Sequence, residues 1–238
     1  LQLYKLGFKC ADGIIVNSQQ FKKQLKKKFN VQAKCIYNPL NYNEVKRLSK
    51  KKVKFSFYNK KSLNIINVAR FEDQKDHLTL LKEIKILKKK INFRLVLIGN
   101  GSNEPLIREY IKNYKLQKEI KIIKNITNPF PYILKSDLVV LTSIYEGLPN
   151  ILLESLVLNK FIISSRCPTG PAEILDNGKG GLLFKVKNFK ELSEKILFYK
   201  KNKSNLKIKL IHAKKNLHKF DYIKNLAKYS NYLNRYIN

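Results

Sequence analysis

Apolar residues fall along this chain in short runs separated by amphipathic stretches. Between residues 62 and 200 the runs are Ile65–Ala69, Leu95–Ile98, Ile120–Ile123, Leu138–Leu141, Phe161–Ser164 and Leu182–Phe184. They lack the polar alternation of a half-exposed strand, which predicts parallel strands covered on both faces. The intervening segments predict helices over about 76–90, 104–115, 131–136, 150–158, 171–176 and 189–200. The first of these places Leu80, Leu81, Ile84, Leu87 and Ile91 three or four residues apart with Lys and Glu between them. Asp76 is positioned to cap its start. Strands alternating with helices in this way predict an α/β domain built on a doubly wound parallel sheet.

The two ends of the chain break the pattern. Gly13–Val16 reads as a strand, Gln19–Phe29 as a basic helix and Cys35–Pro39 as a short strand ending in a turn. The last of these has no visible strand partner, so residues 1–40 are expected to be the remnant of a preceding domain. Residues 41–61 are polar and Lys-rich, the composition of a flexible loop, and 201–238 have apolar spacing compatible with one or two helices. Leu stands at position 1 and Met is absent throughout, which reads as a piece of a longer chain.

Charge narrows the classes of partner. The 238 residues carry 49 Lys+Arg against 17 Asp+Glu, a net charge of +32. That balance suits an acidic membrane surface, a polyanionic ligand or nucleic acid. Arg occurs only at positions 47, 70, 94, 108, 166 and 235. Base-specific readout favours the guanidinium fork, so this scarcity speaks against a sequence-reading nucleic-acid protein. Cys10, Cys35 and Cys167 leave at least one thiol unpaired and fit no metal spacing, as expected of a reduced, cytoplasmic setting. No run approaches the ~20 apolar residues needed to span a bilayer.

In an open parallel sheet, ligands bind beyond the C-terminal ends of the strands, where strand order reverses. For six strands numbered as above, that point is expected between the first and the fourth. Arg70-Phe71-Glu72-Asp73-Gln74-Lys75 follows the first, and Thr142 through Asn150 follows the fourth. The helix opening at Asn150 would offer free N–H groups and its positive dipole end to a diphosphate. Gly147 would let the backbone approach closely, and Pro149 suits a first helical turn. Arg70 and Lys75 would neutralise phosphate charge. Glu154, one turn into the helix, would accept both hydroxyls of a ribose, and Glu146 those of a sugar. Taken singly, each is as readily a capping or solvated residue, and Gly99-Asn100-Gly101 a tight turn; their convergence on one crevice is the signal.

These residues resemble those of glycosyltransferase family 4, retaining enzymes with two facing Rossmann-like domains in the GT-B arrangement. Val68-Ala69-Arg70-Phe71 with Gln74-Lys75 is similar to that family's first-strand motif, and Ile98-Gly99-Asn100-Gly101 to its second-strand glycine loop. Ser143-Ile144-Tyr145-Glu146-Gly147-Leu148-Pro149-Asn150 followed by Glu154 resembles its most specific element, two glutamates with seven residues between them. Cys167 through Leu175 resembles a variant found among enzymes that build bacterial surface polysaccharides. The resemblance implies that Arg70 and Lys75 bind the donor diphosphate, that Gly99, Gly101 and the backbone of Gly147, Leu148, Pro149 and Asn150 approach the donor, that Glu146 faces its sugar and that Glu154 holds the ribose. Catalytic roles fall to Glu146, Arg70 and Lys75, with no metal or other cofactor expected.

The chain departs from the family pattern at Ala69 and Asn159, where Gly is usual, and has no counterpart of the family's N-terminal catalytic His. His77, His212 and His218 read as surface or structural. The expected partners are a UDP-linked nucleotide-sugar donor, a glycan or lipid-linked acceptor, and the anionic cytoplasmic face of a membrane. Two alternatives stay open: a nucleotide-sugar-binding fragment without activity, and a basic nucleic-acid-binding protein.

Overall fold

The computed structural model describes residues 2–236. Chain order is α1 (Gln2–Cys10), β1 (Ile15–Val16), α2 (Gln19–Phe29), β2 (Lys34–Cys35), α3 (Tyr42–Ser49), β3 (Leu63–Val68), α4 (His77–Leu87), β4 (Phe93–Ile98), α5 (Glu104–Asn113), β5 (Ile120–Ile123) and α6 (Phe130–Lys135). There follow β6 (Leu138–Leu141), α7 (Asn150–Val157), β7 (Phe161–Ser165), α8 (Pro171–Ile174), β8 (Leu182–Phe184), α9 (Phe189–Lys201), α10 (Lys207–Lys215) and α11 (Tyr222–Leu233). The main sheet is parallel throughout, ordered β5-β4-β3-β6-β7-β8.

Successive residues of the central strands point to opposite faces, and both faces are covered. On one side Ile65, Leu95 and Leu97 pack with Leu80 and Ile84 of α4 and Leu192 and Ile196 of α9. On the other, Ile66, Val96 and Ile98 join Ile133 of α6 and Leu152 and Leu156 of α7. Strand order reverses between β3 and β6, the first and fourth strands of the repeat. Asp76 caps α4 as expected, accepting from the Thr79 N–H at 3.2 Å, from a left-handed backbone (φ 45°).

Two expectations change. The segment 41–61 is not a free loop. Asn41 caps α3 by accepting from Glu44 N at 3.0 Å, Val45 and Ser49 face inward, and the Tyr42 hydroxyl donates to the Leu217 carbonyl. Beyond the helix, Tyr58 Oη donates to Ile65 O at 2.9 Å. With only one narrow face buried over eight residues, α3 reads as polar in sequence. Nor is the strand at 35–39 without a partner: β2 pairs in parallel with β1, Ile15 opposite Lys34 and Val16 opposite Cys35. Strands of two residues carry no periodicity for a pattern to reveal.

The terminal helices dock on this N-terminal unit. Leu40 N donates to Phe220 O at 2.9 Å, the Tyr37 and Phe220 rings lie 4.8 Å apart, and Tyr229 Oη donates to Ile36 O at 3.3 Å. Among the described residues no helix is long and apolar enough to cross a membrane.

Candidate functional site

The reversal of strand order brings the loop after β3 against the loop after β6, and hydrogen bonds stitch them together. Ile144 N donates to Gln74 O, Gln74 Nε2 to Tyr145 O and Thr142 Oγ1 to Lys75 O, each at 2.8 Å. Beneath them Ser165 Oγ of β7 donates to Ser143 O at 2.6 Å. The crevice floor is therefore built by short-side-chain polar residues on three strand ends, which hold the backbone in place without filling the space above it.

Into this crevice the structure brings Lys75 and Glu146, and joins them. Lys75 Nζ lies 2.6 Å from Glu146 Oε1, and the same oxygen accepts from Ser143 Oγ at 2.6 Å, with both charged side chains largely buried. By the family resemblance these two groups serve different parts of a ligand; here each neutralises the other. Arg70 is exposed at the crevice mouth and, among the described residues, forms no ion pair.

Pro149 stands at the N-cap of α7, so the helix opens at Asn150 with N–H groups at its first turn free of side-chain capping. Leu148 is buried in the core, which leaves only its backbone to the site. Glu154 sits one turn in. Burial alone pushes its carboxyl up to about 7, and among the described residues no hydrogen bond reaches it. A partly buried carboxylate without a protein partner is costly in its ionised form.

The glycines divide by role. A Cβ on Gly99 would lie 2.0 Å from Ala69 O, and one on Gly101 2.4 Å from Phe71 O. Both serve the close packing of the β4 loop on the β3 loop, in keeping with a tight turn. Gly147 is different: the nearest atom to its would-be Cβ is Asn17 Oδ1, at 3.2 Å, across from the N-terminal unit. Gly170 has φ 85°, and a Cβ there would lie 2.4 Å from Gly147 O. Its neighbour Thr169 donates through Oγ1 to Glu146 O. The backbone of the Glu146 loop is thus braced from the β7–α8 connection.

Glu173 has no role in the family motif, yet it ties the N-terminal unit to this site. Its carboxylate accepts from Ser18 Oγ at 2.8 Å, Gln19 N at 2.9 Å, Gln20 N at 3.1 Å and Tyr37 Oη at 2.6 Å. It supplies the negative charge at the start of α2, a helix with no acidic residue in its own first turn. That missing acid was the available signal. Gln20 Oε1 in turn accepts from Gly170 N at 3.2 Å, and Asn38 Nδ2 donates to Asn150 Oδ1 at 2.8 Å. The N-terminal unit is thereby locked over one edge of the crevice.

Neither the histidines nor the thiols enter the site. His77 is buried against Phe71, ring centroids 5.0 Å apart, with its imidazole driven down to about 4 by burial. His212 pairs with Asp176 at 2.7 Å, and His218 Nδ1 lies 2.7 Å from Lys215 O. Burial, together with the nearby Glu146 charge, pushes the Cys167 thiol up to about 11. A groove of about 780 Å³ lies elsewhere, lined by Phe8, Phe29, Tyr232 and Tyr236 around the N-terminal unit, and its lining gathers no cluster of like charge.

This arrangement can be set beside known proteins. The family profile described as glycosyl transferases group 1 matches residues 48–217, which includes the whole sheet and crevice. The chain belongs to that family. The uncharacterized glycosyltransferase MJ1059 of Methanocaldococcus jannaschii is 33% identical over 178 residues, covering 72% of this chain and 44% of the relative. The N-acetylgalactosamine-N,N'-diacetylbacillosaminyl-diphospho-undecaprenol 4-alpha-N-acetylgalactosaminyltransferase of Campylobacter jejuni is 26% identical over 191 residues, 78% of this chain and 50% of the relative. Among solved structures, Anabaena HepE in complex with UDP and glucose superposes with a TM-score of 0.84 at 17% identity, over 98% of this chain and 66% of that one. The group 1 chain spans about half the length of the curated relatives it matches. Its six-stranded sheet with helices on both faces is the Rossmann-like unit of the GT-B glycosyltransferases.

Proposed function

We propose that this chain carries the donor site of a family 4 retaining glycosyltransferase. In this reading it moves a hexose or N-acetylhexosamine from a UDP-sugar to a bacterial surface glycan or lipid-linked oligosaccharide, at the cytoplasmic face of a membrane. The observation that carries the reading is the meeting of three unmatched groups at the β3–β6 switch point: the free Arg70 guanidinium, the uncapped start of α7 and the unpartnered Glu154 carboxylate. A nucleoside diphosphate complements all three, its phosphates at Arg70 and α7 and its ribose hydroxyls donating to Glu154. The Campylobacter relative named for a diphospho-undecaprenol substrate and the UDP bound to HepE support the acceptor and donor classes.

In the proposed reaction the bond from the anomeric carbon to the diphosphate oxygen breaks, and a bond to the acceptor oxygen forms on the same face. The acceptor proton passes to the departing diphosphate. Arg70 and Lys75 stabilise the negative charge that develops on that leaving group; the reading assigns this task to them rather than to a divalent metal. Binding of the diphosphate draws Lys75 from Glu146 and frees that carboxylate to accept sugar hydroxyls. Glu146 orients the sugar and is not assigned as a nucleophile.

Calorimetric titration with UDP and UDP-sugars tests the reading. Arg70→Ala is expected to weaken UDP binding by roughly 10-fold or more, the loss of one charge-assisted contact. Glu146→Gln should leave UDP affinity within about threefold while turnover falls by roughly 100-fold, the scale of a lost transition-state contact. Failure of the folded protein to bind any UDP- or GDP-sugar would overturn the reading.

A further inference from the structure

At the other end of α7 from the crevice lies a groove of about 350 Å³ between α3, α10 and the start of α11. Its rim carries four ammonium groups, Lys46, Lys214, Lys215 and Lys224, with His218 beside them. One carboxylate faces them, Asp221, which is committed to capping α11 by accepting from Lys224 N at 2.9 Å. Among the described residues none of the four lysines has a carboxylate within ion-pair distance. With Val157 and Asn159 in its wall, the groove is separated from the α7 N-terminus by the helix itself, about 12 Å for eight residues. It is not the donor site.

The helices that supply these lysines also expose large apolar side chains. Ile208 and Ile211 of α10 are 72% and 54% exposed, and Ile223 and Leu226 of α11 are 69% and 46% exposed. Ile211 lies one turn before Lys214 and Lys215 on α10, and Ile223 adjoins Lys224. On α11 the inward positions are taken by Asn225, fully buried, and by Tyr229. Branched aliphatic side chains left in water beside unpaired lysines are the composition of a surface that lies in a bilayer interface, cations at the headgroups and aliphatics below them.

We infer that the α10–α11 face, with the Lys46–Lys214–Lys215–Lys224 groove, docks this protein on an acidic phospholipid bilayer. The occupant is fixed by charge complementarity: unpaired cations select phosphate headgroups, and the adjoining isoleucines select a boundary with an apolar side, which neither nucleic acid nor a soluble polyanion offers. The inference gives a surface to the membrane-facing part of the function proposed above and rests on that reading only for its purpose. Lipid binding itself requires neither donor nor transfer.

Vesicle flotation with the purified protein tests it, using phosphatidylcholine alone and phosphatidylcholine with about 30% phosphatidylglycerol. Each lysine near such a surface contributes about a fivefold change in partitioning. Replacing Lys46, Lys214, Lys215 and Lys224 together by Gln is therefore expected to lower partitioning by roughly 100-fold or more. A charge-matched control replaces Lys89, Lys90, Lys112 and Lys118, exposed lysines outside this face, and is expected to lose less than about 10-fold through screened long-range attraction. Ile211→Ser with Ile223→Ser should weaken binding at high salt as well as low, since the apolar contribution is not screened.

Far-UV circular dichroism confirms that each variant folds. If the control variant loses as much as the groove variant, the face is not the docking surface. Equal binding to neutral vesicles, or isoleucine variants that bind like the parent, would also overturn the inference, as would duplex DNA outcompeting vesicles at equal phosphate. UDP titration of the same samples separates the two readings: intact vesicle binding without UDP binding sinks the donor-site proposal alone, and the reverse sinks this one alone.

Discussion

Glu154 links the stability of this chain to the proposed function, with opposite signs. Burial raises its carboxyl from 4.5 to about 7. A group whose folded value lies above its unfolded value contributes stability that is complete below pH 4.5 and is lost as the pH rises through 7. At about 1.4 kcal/mol per pH unit, keeping the ionised carboxylate inside costs the fold roughly 3 kcal/mol at pH 8. Glu154→Gln preserves the shape and removes the charge, but the buried amide retains a desolvation cost of about 1–2 kcal/mol. The variant is therefore expected to be more stable than the parent by about 1–2 kcal/mol at pH 8. For a chain of this size that is a rise in melting midpoint of roughly 2–8 °C. The advantage should shrink as the pH falls below 7, cross zero at about pH 5–6 and reverse by roughly 1 kcal/mol at pH 4.5, where the parent's carboxyl is largely protonated and only the amide's cost remains. UDP affinity should move the other way, weakening roughly 10- to 100-fold as ribose hydroxyls lose a charged acceptor worth about 1.5–3 kcal/mol. Thermal unfolding at several pH values and UDP calorimetry on the same samples measure both. A variant less stable than the parent at pH 8, or a stability difference independent of pH, would show that Glu154 is not an unpaired desolvated carboxylate.

Glu173→Ala removes the acceptor for Ser18, Gln19, Gln20 and Tyr37; local stability should fall by roughly 2–4 kcal/mol. Hydrogen exchange should quicken across residues 15–37 and stay slow in β3 and β4. Gly170→Ala places a Cβ against Gly147 O at positive φ, an expected cost of about 2 kcal/mol or more, read by chemical denaturation. His77 has its folded value near 4, below the ordinary 6.5, so stability present above pH 6.5 is lost as the pH falls toward 4. His77→Phe should abolish up to about 3 kcal/mol of that acid-dependent loss, visible as a flatter pH–stability curve irrespective of the variant's stability at neutral pH.

Much of this protein was legible along the chain. The runs at 65–69, 95–98, 120–123, 138–141, 161–164 and 182–184 predicted all six strands of the main sheet within a residue or two, because strands covered on both faces must be apolar at consecutive positions. That repeat also located the switch point, and with it Arg70, Lys75, Glu146 and Glu154, since strand order in such a sheet places the first and fourth strands side by side. Residues 41–61 and the β1–β2 pair were not legible: α3 buries too narrow a face, and two-residue strands are defined only by the partner they meet.

What the tertiary structure alone decided is the pairing of charges. Along the chain, Lys75 and Glu146 are a cation and a carboxylate 71 residues apart, each free to take a separate role; folding sets them 2.6 Å apart. Glu173 shows the same thing from the other side, an ordinary helix-start acid by sequence that accepts from the first turn of a helix 153 residues earlier in the chain. Local pattern records which groups are buried and which backbone they favour, because those depend on neighbours along the chain. Which charge answers which is settled by distance in space, through a Coulomb term that sequence separation does not enter.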